Sequence, residues 1–344
     1  MFKIKTKFNS ISESDKVYII AEACDNHLGS LDKAKQMCEL AKDTGASAIK
    51  FQHHIPDEEM LKDVPMSSNF NMPLYEFLKK YALSIEDHKI LNNYCEKLEI
   101  DYLCTPFSYK AAEDLNNNLD LQVYKIGSGE STDIPTLSKI TKNLKKSLII
   151  STGMSLIEEN EETYNKLKKI NANFCFMYCV SEYPPVYEDM NLNVITKLKQ
   201  KFKDICIGHS DHTPDNYTCF SAVTLGAKII EKHVIIDKKQ EGPDQSVSIN
   251  FDELADLVSG IRKIEKSLGD EKKIHLKEEK IREWAFRSIV STKEIKKNQT
   301  ITEDMIWSKR PGTGIPAKLM NEVIGKKTKK LIKENEMLSW DDIE

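Results

Sequence analysis

The sequence lacks any long apolar run and has almost no excess of either charge. No stretch approaches the roughly eighteen consecutive apolar residues typical of a transmembrane helix. The first residues, MFKIKTKFNSISESDK, lack the apolar centre of a signal peptide, so we expect a cytoplasmic protein with no membrane partner. The net charge is −4, from 50 basic and 54 acidic residues, and no block of one sign favours a nucleic acid. A small-molecule partner is therefore expected.

Cysteine is also scarce. Eight cysteines in 344 residues are too few for a disulfide scaffold, and several lie in strand-like apolar runs. Cys175 and Cys179 share one face of a predicted strand, but no second cysteine or histidine pair follows at zinc-site spacing. We therefore expect reduced, buried thiols, with Cys175 and Cys179 packed in the core.

Short β-rich runs alternate with amphipathic segments over the first two thirds of the chain. Eight runs are rich in β-branched and aromatic residues: 17–23, 46–52, 100–105, 121–126, 147–152, 173–179, 204–210 and 227–233. Most of the intervening segments have apolar residues at helical spacing, and several end in glycine. Eight strand-helix units in roughly 250 residues predict an α/β fold, a (β/α)8 TIM barrel, with an open α/β sheet as the alternative.

The C-terminal part of the chain has a different pattern. IKKNQTITEDMI (295–306) resembles IKENEMLSWDDI (332–343), at an offset of 37 residues from 295 to 332. Two copies of a strand, a polar turn and a one-turn helix predict a small, partly duplicated α+β domain. We therefore expect a barrel domain over residues 1–280 and a second domain over residues 281–344.

Polar side chains mark the predicted C-terminal end of every strand, which is where active sites of such barrels form. These residues are Glu22, Asn26, His27, Lys50, Gln52, Thr105, Lys125, Ser128, Glu130, Ser151, Ser181, Tyr183, Ser210, His212 and His233. For any single serine, solubility of the barrel rim is an equally good explanation. The complete set favours a functional site.

Two lysines and two glycine-containing turns predict a site for a small dianion. Lys50 and Lys125 supply positive charge, and the glycines of 125–130 and 151–154 let backbone N–H groups approach a phosphate or carboxylate. Without the lysines, the same glycines would indicate only tight turns.

His212 and His233 end successive strands, so their rings are expected to lie close enough to share a divalent metal. Either histidine alone would be interpreted as an ordinary polar residue. His209 is a less certain candidate from the same loop, and His53 and His54 are candidates for positions near the pocket.

Eight motifs occur in order along the first part of the chain: IIAEACDNHLGS, AIKFQHH, YKIGSGE, IISTGM, CVSEYPP, IGHSDHT, EKHVI and EGPDQSVS. Together they resemble the sialic acid synthase family, which includes the N-acetylneuraminate, legionaminate and pseudaminate synthases. The segment FRSIVSTKEIKKNQTITEDMIWSKRPGTGI is similar to the antifreeze-like SAF domain, a β-clip fold, that follows the barrel in this family. The resemblance covers almost the whole chain and implies the same two-domain order.

The resemblance implies a reaction between phosphoenolpyruvate and an open-chain N-acylhexosamine. C3 of phosphoenolpyruvate attacks the sugar aldehyde, water adds at C2, and phosphate leaves by C–O cleavage. We expect N-acetylmannosamine as substrate, giving N-acetylneuraminate. The alternative is a diacetamido-trideoxyhexose, giving N,N'-diacetyllegionaminate or pseudaminate, and residues 53–77 are expected to shape the sugar pocket. The implied cofactor is Mn²⁺, with Mg²⁺ or Co²⁺ as alternatives, acting as a Lewis acid on the aldehyde oxygen.

The resemblance also assigns site residues. Phosphoenolpyruvate would be held by Lys50, Lys125, Ser128, Ser151, Ser181, Ser210 and His212, the sugar by Gln52, Glu130, Tyr183 and Asp244, and the metal by His212 and His233. The catalytic residues would be Lys50, Lys125, Glu130, His212 and His233, with Glu22 as a candidate acid-base group. For Glu22, a structural pairing with a lysine remains equally open.

A homodimer is implied as well. In the family, the SAF domain of one subunit reaches over the barrel of its partner, which implies a domain-swapped homodimer in which Arg310 contacts the sugar's N-acyl group beside Phe286. Otherwise both residues are surface and core positions of the second domain.

Two rival functions remain. A Schiff-base aldolase would use Lys50 or Lys125 as a covalent nucleophile, although the paired histidines argue against it. The second rival is an inactive carbohydrate-binding protein. An inactive protein would be expected to lose at least one of the residues proposed for catalysis or binding, and these are all present: Lys50, Lys125, Glu130, His212, His233 and Arg310.

Overall fold

The computed structural model describes residues 2–65, 70 and 72–344. The chain divides into two compact units, Met1–Leu268 and Gly269–Glu344. The predicted boundary at residue 280 stays a prediction. Within the described residues, no helix is both long and apolar enough to cross a bilayer, and a cytoplasmic location also stays a prediction.

The first unit contains a short hairpin and one eight-stranded parallel sheet. The hairpin pairs β1 (Ile4–Lys5) with β2 (Ser10–Ile11). The parallel strands are β3 (Tyr18–Glu22), β4 (Ala48–His53), β5 (Asp101–Pro106), β6 (Val123–Ile126), β7 (Ser147–Ser151), β8 (Phe174–Cys179), β9 (Ile207–Asp211) and β10 (Ile229–His233). Their order is β5-β4-β3-β10-β9-β8-β7-β6, and the end strands β5 and β6 pack side by side, so that the sheet closes into a barrel. The predicted barrel and its eight strands are confirmed, with small shifts at the strand ends.

Helices separate the strands and cover the outside of the barrel. They are α1 (Leu31–Thr44), α2 (Pro56–Glu59), α3 (Leu74–Tyr81), α4 (Ile85–Leu98), α5 (Tyr109–Asn118), α6 (Ile134–Asn143), α7 (Ile157–Lys169), α8 (Asn193–Lys201), α9 (Tyr217–Thr224) and α10 (Phe251–Ser267). Helix α1 shows how the sequence sets the bounds. The Ser30 side chain accepts a hydrogen bond from the Lys33 N–H, and Gly45 ends the helix with a φ of 80°.

Each strand contributes to two apolar layers because successive side chains point to opposite faces. In β3, Ile19 packs outward against the helices, while Tyr18 and Ile20 point into the barrel. Cys175 also packs in the inner layer, as expected. All eight cysteines are free and buried, and Cys179 lies at the end of β8 beside the polar groups of the site.

The second unit contains α11 (Leu276–Ala285), β11 (Ser288–Ser291), β12 (Ile306–Lys309) and α12 (Met320–Val323). Its internal duplication is confirmed at the predicted offset. The one-turn helix Glu303–Met305 recurs as Trp340–Asp342, and Ile295 pairs with Ile332 across an antiparallel bridge. The buried core follows the same repeat, with Ile295, Ile301 and Ile306 matched by Ile332, Leu338 and Ile343. Neither copy buries its apolar face alone, so the two copies stabilise each other.

Candidate active site

A cavity of about 460 Å³ opens at the C-terminal ends of the barrel strands. Most of the residues that the sequence placed at these strand ends line it: Glu22, Lys50, Gln52, Thr105, Lys125, Ser128, Glu130, Ser151, Ser181, Tyr183, Ser210, His212 and His233. Asn26 and His27, expected there too, are buried but are not among its described lining residues. Asp244, from the loop after β10, lines it too. The fold therefore brings together residues that are more than 200 positions apart in sequence.

Two lysines and two glutamates form a buried charged network on the cavity floor. Lys50 Nζ lies 3.0 Å from Glu22 Oε2 and 3.3 Å from Glu231 Oε2, and Lys125 Nζ lies 3.2 Å from Glu231 Oε1. All four side chains are at most 5% exposed. Glu231 therefore bridges the two lysines, which lets both remain buried.

Hydroxyl groups complete the network. Lys125 donates to Ser151 Oγ at 2.7 Å, and Lys50 donates to Thr105 Oγ1 at 3.1 Å. Ser210 donates to Glu231 Oε1 at 2.8 Å. These hydroxyls hold the charged groups in one arrangement at the floor of the cavity, so little reorganisation is needed when an anion arrives.

The two glycine turns meet as predicted. The Gly153 N–H donates to Ser128 Oγ at 3.0 Å. A Cβ atom at Gly153 would lie 2.1 Å from Ser181 Oγ and 2.7 Å from Ser128 Oγ. Only glycine therefore leaves room for these two serines to converge beside Lys125.

The network shifts the proton affinity of each member. Burial raises the pKa of Glu22 to about 7, against the opposing effect of Lys50. Burial also works to lower the pKa of Lys50, but Glu22 and Glu231 raise it above its ordinary value. Burial works to raise the pKa of Glu231, but Lys125 and Lys50 hold it well below its ordinary value. Burial also lowers the pKa of Lys125, against the raising effect of Glu231. With a pKa of about 7, Glu22 changes its protonation near neutral pH.

His212 and His233 lie side by side, as the sequence indicated. Their ring centroids are 5.2 Å apart, and the Tyr183 ring stacks on His212 at 4.3 Å. His212 Nδ1 lies 2.7 Å from the Val180 carbonyl oxygen and 3.8 Å from Cys179 Sγ. Burial lowers the pKa of His212, but Cys179 raises it to about 9, so a metal bound there would displace a proton.

The residues present fit a metal ion at His233. Its Nδ1 is buried and has no hydrogen-bond partner among the described residues. Cys24, Asp244 and a ring nitrogen of His233 provide three ligand atoms that lie within 4.8 Å of one another. Imidazole, thiolate and carboxylate groups are the common ligands of divalent transition metals.

A second polar cluster lies farther out in the cavity. Gln52 donates to Glu22 Oε1 at 3.1 Å, and Gln52 Oε1 accepts from His54 Nε2 at 2.9 Å. The other nitrogen of His54 lies 3.0 Å from Glu59 Oε1, and this contact raises the pKa of His54 against the lowering effect of burial. Burial raises the pKa of Glu130 to about 7.

One wall of the cavity is apolar. Met60, Phe70, Leu74 and Leu78 line it, and all of them come from or directly follow the predicted specificity segment 53–77. Residues 66–69 and 71 of that segment lie outside the described residues.

Phe286 and Arg310 belong to the second unit, where both residues are solvent-exposed. The Arg310 guanidinium lies over the Trp284 ring at 5.3 Å, and its Nε donates to the Ala285 carbonyl oxygen at 3.1 Å. Phe286 is 54% exposed and has the Arg282 guanidinium over its ring at 4.7 Å. Their predicted contact with a sugar stays a prediction.

Two residues of the cavity, Glu231 and Cys24, were not predicted from the sequence. Glu231 lies two residues before His233 in a strand, and side chains two apart share a face, so this spacing could have identified it. Cys24 lies two residues after Glu22 in a tight turn, with a φ of 46°, and the sequence carries no periodic signal there.

Comparison with known proteins identifies the family. Residues 37–273 match the NeuB family model, and residues 286–344 match the SAF domain model. The chain is 39% identical over 334 residues to the N,N'-diacetyllegionaminic acid synthase of Campylobacter jejuni, covering 94% of this chain and 99% of that protein. It is 33% identical to the human N-acetylneuraminate-9-phosphate synthase, covering 93% of this chain and 91% of that protein.

A solved structure gives the same result for the fold. The N-acetylneuraminic acid synthetase of Leptospira borgpetersenii, crystallised in complex with citrate, superposes with a TM-score of 0.73 at 31% identity. The superposition covers 81% of this chain and 94% of that chain. The chain therefore belongs to the NeuB family of phosphoenolpyruvate-dependent sugar-acid synthases and carries a SAF domain at its C-terminal end.

Proposed function

We propose that the protein condenses phosphoenolpyruvate with the open-chain form of an N-acetylated amino sugar. One observation carries this proposal: the buried network of Lys50, Lys125, Glu22 and Glu231 shares a single cavity with the His212 and His233 pair. To join a phosphorylated enol to an aldehyde, an enzyme needs cations that bind the anion and a group in the same cavity that activates the aldehyde.

Lys50 and Lys125 hold the anionic groups of phosphoenolpyruvate. Ser128 and Ser181 converge at Gly153 and line the same cavity as Lys125, so their hydroxyls can donate to the phosphate. The binding energy of these groups fixes the position of C3, the carbon that attacks. The leaving phosphate then stays paired with two buried cations, which stabilise its charge as the C–O bond breaks.

His212 and His233 hold the divalent metal, and Mn²⁺ is the metal that we expect there. When bound, the metal supplies Lewis-acid polarisation of the sugar aldehyde. Glu22 lies opposite His233 in the β3–β10 ladder and hydrogen-bonds to Gln52. With its pKa at about 7, Glu22 supplies a proton to the aldehyde oxygen or accepts one from the water that adds at C2.

Gln52, Glu130, Tyr183 and Asp244 orient the sugar. N-acetylmannosamine is the first candidate substrate, with which other sugars are compared. One observation favours the second candidate, a diacetamido-trideoxyhexose: the apolar wall of Met60, Phe70, Leu74 and Leu78 suits a deoxy methyl group and a second acetyl methyl better than hydroxyls. Lys50 and Lys125 are the only lysine or arginine side chains among the described lining residues, which disfavours a sugar phosphate.

The test is phosphate release from phosphoenolpyruvate with each sugar, with Mn²⁺ and again with a chelator. We expect metal-dependent release with both sugars and the higher kcat/KM with the diacetamido sugar. Because one extra methyl-sized contact contributes about 1–3 kcal/mol, the preference should be about 10- to 200-fold. Release from neither sugar would overturn the proposal, whereas a preference for N-acetylmannosamine would overturn only the role of the apolar wall.

Binding of phosphoenolpyruvate should depend on the protonation of Glu22. Below about pH 7 Glu22 is mostly neutral and does not repel the anion, and above about pH 7 its carboxylate does. We therefore expect the Kd of phosphoenolpyruvate to rise as the pH increases through about 7, with proton uptake on binding. Calorimetry in two buffers of different ionisation enthalpy measures this uptake.

The Glu22→Gln variant is the control for that experiment, because phosphoenolpyruvate also titrates. The variant should take up fewer protons and show a flatter pH dependence than the unaltered protein. Equal proton uptake in both proteins would show that Glu22 is not the responsible group.

A Schiff-base aldolase is the rival. Lys50 is disfavoured as an amine nucleophile because its pKa is raised, although burial lowers the pKa of Lys125. Trapping with borohydride and pyruvate should give no adduct on either lysine. A pyruvate adduct on either lysine would contradict the synthase mechanism and support the Schiff-base aldolase.

We also propose a domain-swapped homodimer, in which Arg310 of one subunit contacts the N-acyl group of the sugar bound by its partner. The support is the exposure of Trp284 and Phe286, at 57% and 54%, beside the Arg310 guanidinium. Large exposed aromatic side chains next to an arginine are typical of interface residues.

A further inference from the structure

The Cys24 thiol lies at the cavity and is not part of the apolar core clusters of the barrel. It is buried at 5% exposure, but its thiol lines the cavity instead of packing among apolar side chains. The thiol donates to Asp244 Oδ2 at 2.8 Å and accepts from Gln52 Nε2 at 3.0 Å. A cysteine that only fills core space has no need of a carboxylate partner.

A thiol, an imidazole and a carboxylate lie close together beside the cavity. The ligand atoms of Cys24, His233 and Asp244 lie within 4.8 Å of one another, and all three residues are buried. Ligands that share one tetrahedral ion, at bond lengths of about 2.0–2.3 Å, stand roughly 3–4 Å apart. Small side-chain rotations therefore bring the three atoms to coordination distance.

Two features indicate that the cluster is built for a ligand. Buried His233 Nδ1 has no hydrogen-bond partner among the described residues, which is costly unless something else binds this ring. Cys24 also has a φ of 46°, in the left-handed region that a residue with a side chain rarely adopts. The backbone strain places the thiol beside Asp244, which is consistent with a functional position.

We propose that Cys24, as a thiolate, and Asp244 join His233, one of the two histidines assigned to the metal above, in coordinating the divalent metal of the active site. The thiol proton that now bridges Cys24 and Asp244 is released to solvent when the metal binds. Asp244 thereby gains a role beside its predicted sugar contact. This inference rests on the proposed function for the purpose of the metal, but metal binding itself is measured without substrate.

A thiolate changes which metal the site prefers. Thiolate ligands favour softer ions such as Co²⁺ and Zn²⁺ over Mn²⁺ and Mg²⁺. We expect the chelator-treated protein to bind Co²⁺ at least about 10-fold more tightly than Mn²⁺. Many sites without a thiolate also bind Co²⁺ more tightly than Mn²⁺. The informative quantity is therefore the ratio of the Mn²⁺ Kd to the Co²⁺ Kd, which should decrease when the thiol is removed.

The first experiment is a Co²⁺ titration of the chelator-treated full chain, followed by absorption spectroscopy. The unaltered protein should develop a thiolate-to-cobalt charge-transfer band in the near ultraviolet along with visible cobalt bands. Cys24→Ser should lose the charge-transfer band and weaken Co²⁺ binding by at least about 10-fold, while binding Mn²⁺ with little change. Circular dichroism checks that the variant is folded.

Cys179→Ser is the matched control, because Cys179 is a second buried thiol in the same cavity, near His212. This variant should keep the charge-transfer band. Loss of the band in Cys179→Ser but not in Cys24→Ser would overturn the assignment. Cobalt bands without a charge-transfer band, or no cobalt binding by the unaltered protein, would overturn it as well.

A second measurement needs no variant. Alkylation of the unaltered protein, quantified for each cysteine by mass spectrometry, should be slowed at Cys24 by Co²⁺ or Zn²⁺ but not by Mg²⁺. Equal alkylation with and without Co²⁺ would contradict the proposal even if Cys24→Ser failed to fold. None of these readouts requires turnover, so they remain decisive if the proposed reaction is wrong.

Discussion

Replacing Glu231 with glutamine is expected to remove most of the activity and to lower the free energy of unfolding of the barrel by about 3–5 kcal/mol. The carboxylate bridges Lys50 and Lys125 at 3.3 and 3.2 Å, with all three groups buried. Glutamine has a similar shape but no charge, so two buried cations would be left with Glu22 alone. Urea unfolding gives the stability, and phosphate release gives the activity.

The matched control is Glu86→Gln. Glu86 also pairs with a lysine, Lys89, at 2.9 Å, but its side chain is 70% exposed. A surface pair of this kind contributes less than about 1 kcal/mol, so this variant should be nearly as stable and active as the unaltered protein. Inorganic phosphate should stabilise Glu231→Gln more than the control, because the anion replaces the missing charge. Equal stability of the two variants would refute the bridging role of Glu231.

Lys125→Met should lower kcat/KM for phosphoenolpyruvate by about 100- to 1,000-fold, the usual loss when one charge-stabilising group is removed. Lys125 donates to Ser151, pairs with Glu231 and lines the same cavity as Ser128. Methionine is of similar length and apolar, so it fills the space without leaving an unpaired buried cation. The KM for the sugar should change little, because we propose that Lys125 binds phosphoenolpyruvate and not the sugar.

Lys125→Arg tests whether the shape of the cation matters as well as its charge. The planar guanidinium does not fit the position of an ammonium group that is 2% exposed, so this variant should restore little activity. The control is Lys89→Met, which removes a partly exposed lysine far from the cavity lining and should leave kcat/KM unchanged. A Lys125→Met variant with normal kcat/KM would contradict the placement of phosphoenolpyruvate.

The barrel and the lining of its cavity follow from local sequence patterns. Apolar strand runs that each end in a polar residue predict both the strands and the face where the polar groups meet, because parallel strands all end on the same side. The duplicated C-terminal domain followed from a repeat at fixed offset, and the pairing of Ile295 with Ile332 is its physical counterpart. These features depend on residues close together in sequence.

The charges and contacts of the site depend on residues that are distant in sequence. The role of Glu231 becomes visible only when β4, β6 and β10 place Lys50 and Lys125 on either side of it. Cys24 joins the cluster only because the loop after β10 returns Asp244 to the turn after β3, 220 positions away along the chain. The raised pKa of Glu22 likewise arises from burial, which local patterns do not give.

The most direct test of the account uses phosphoenolpyruvate labelled with ¹⁸O at the bridging oxygen, the metal-loaded enzyme and each amino sugar. The released phosphate is then analysed by mass spectrometry. Cleavage of the C–O bond predicts that the phosphate carries the label and that the nine-carbon sugar acid does not. Label retained in the sugar acid, or phosphate release that is unaffected by chelation, would contradict the proposed reaction.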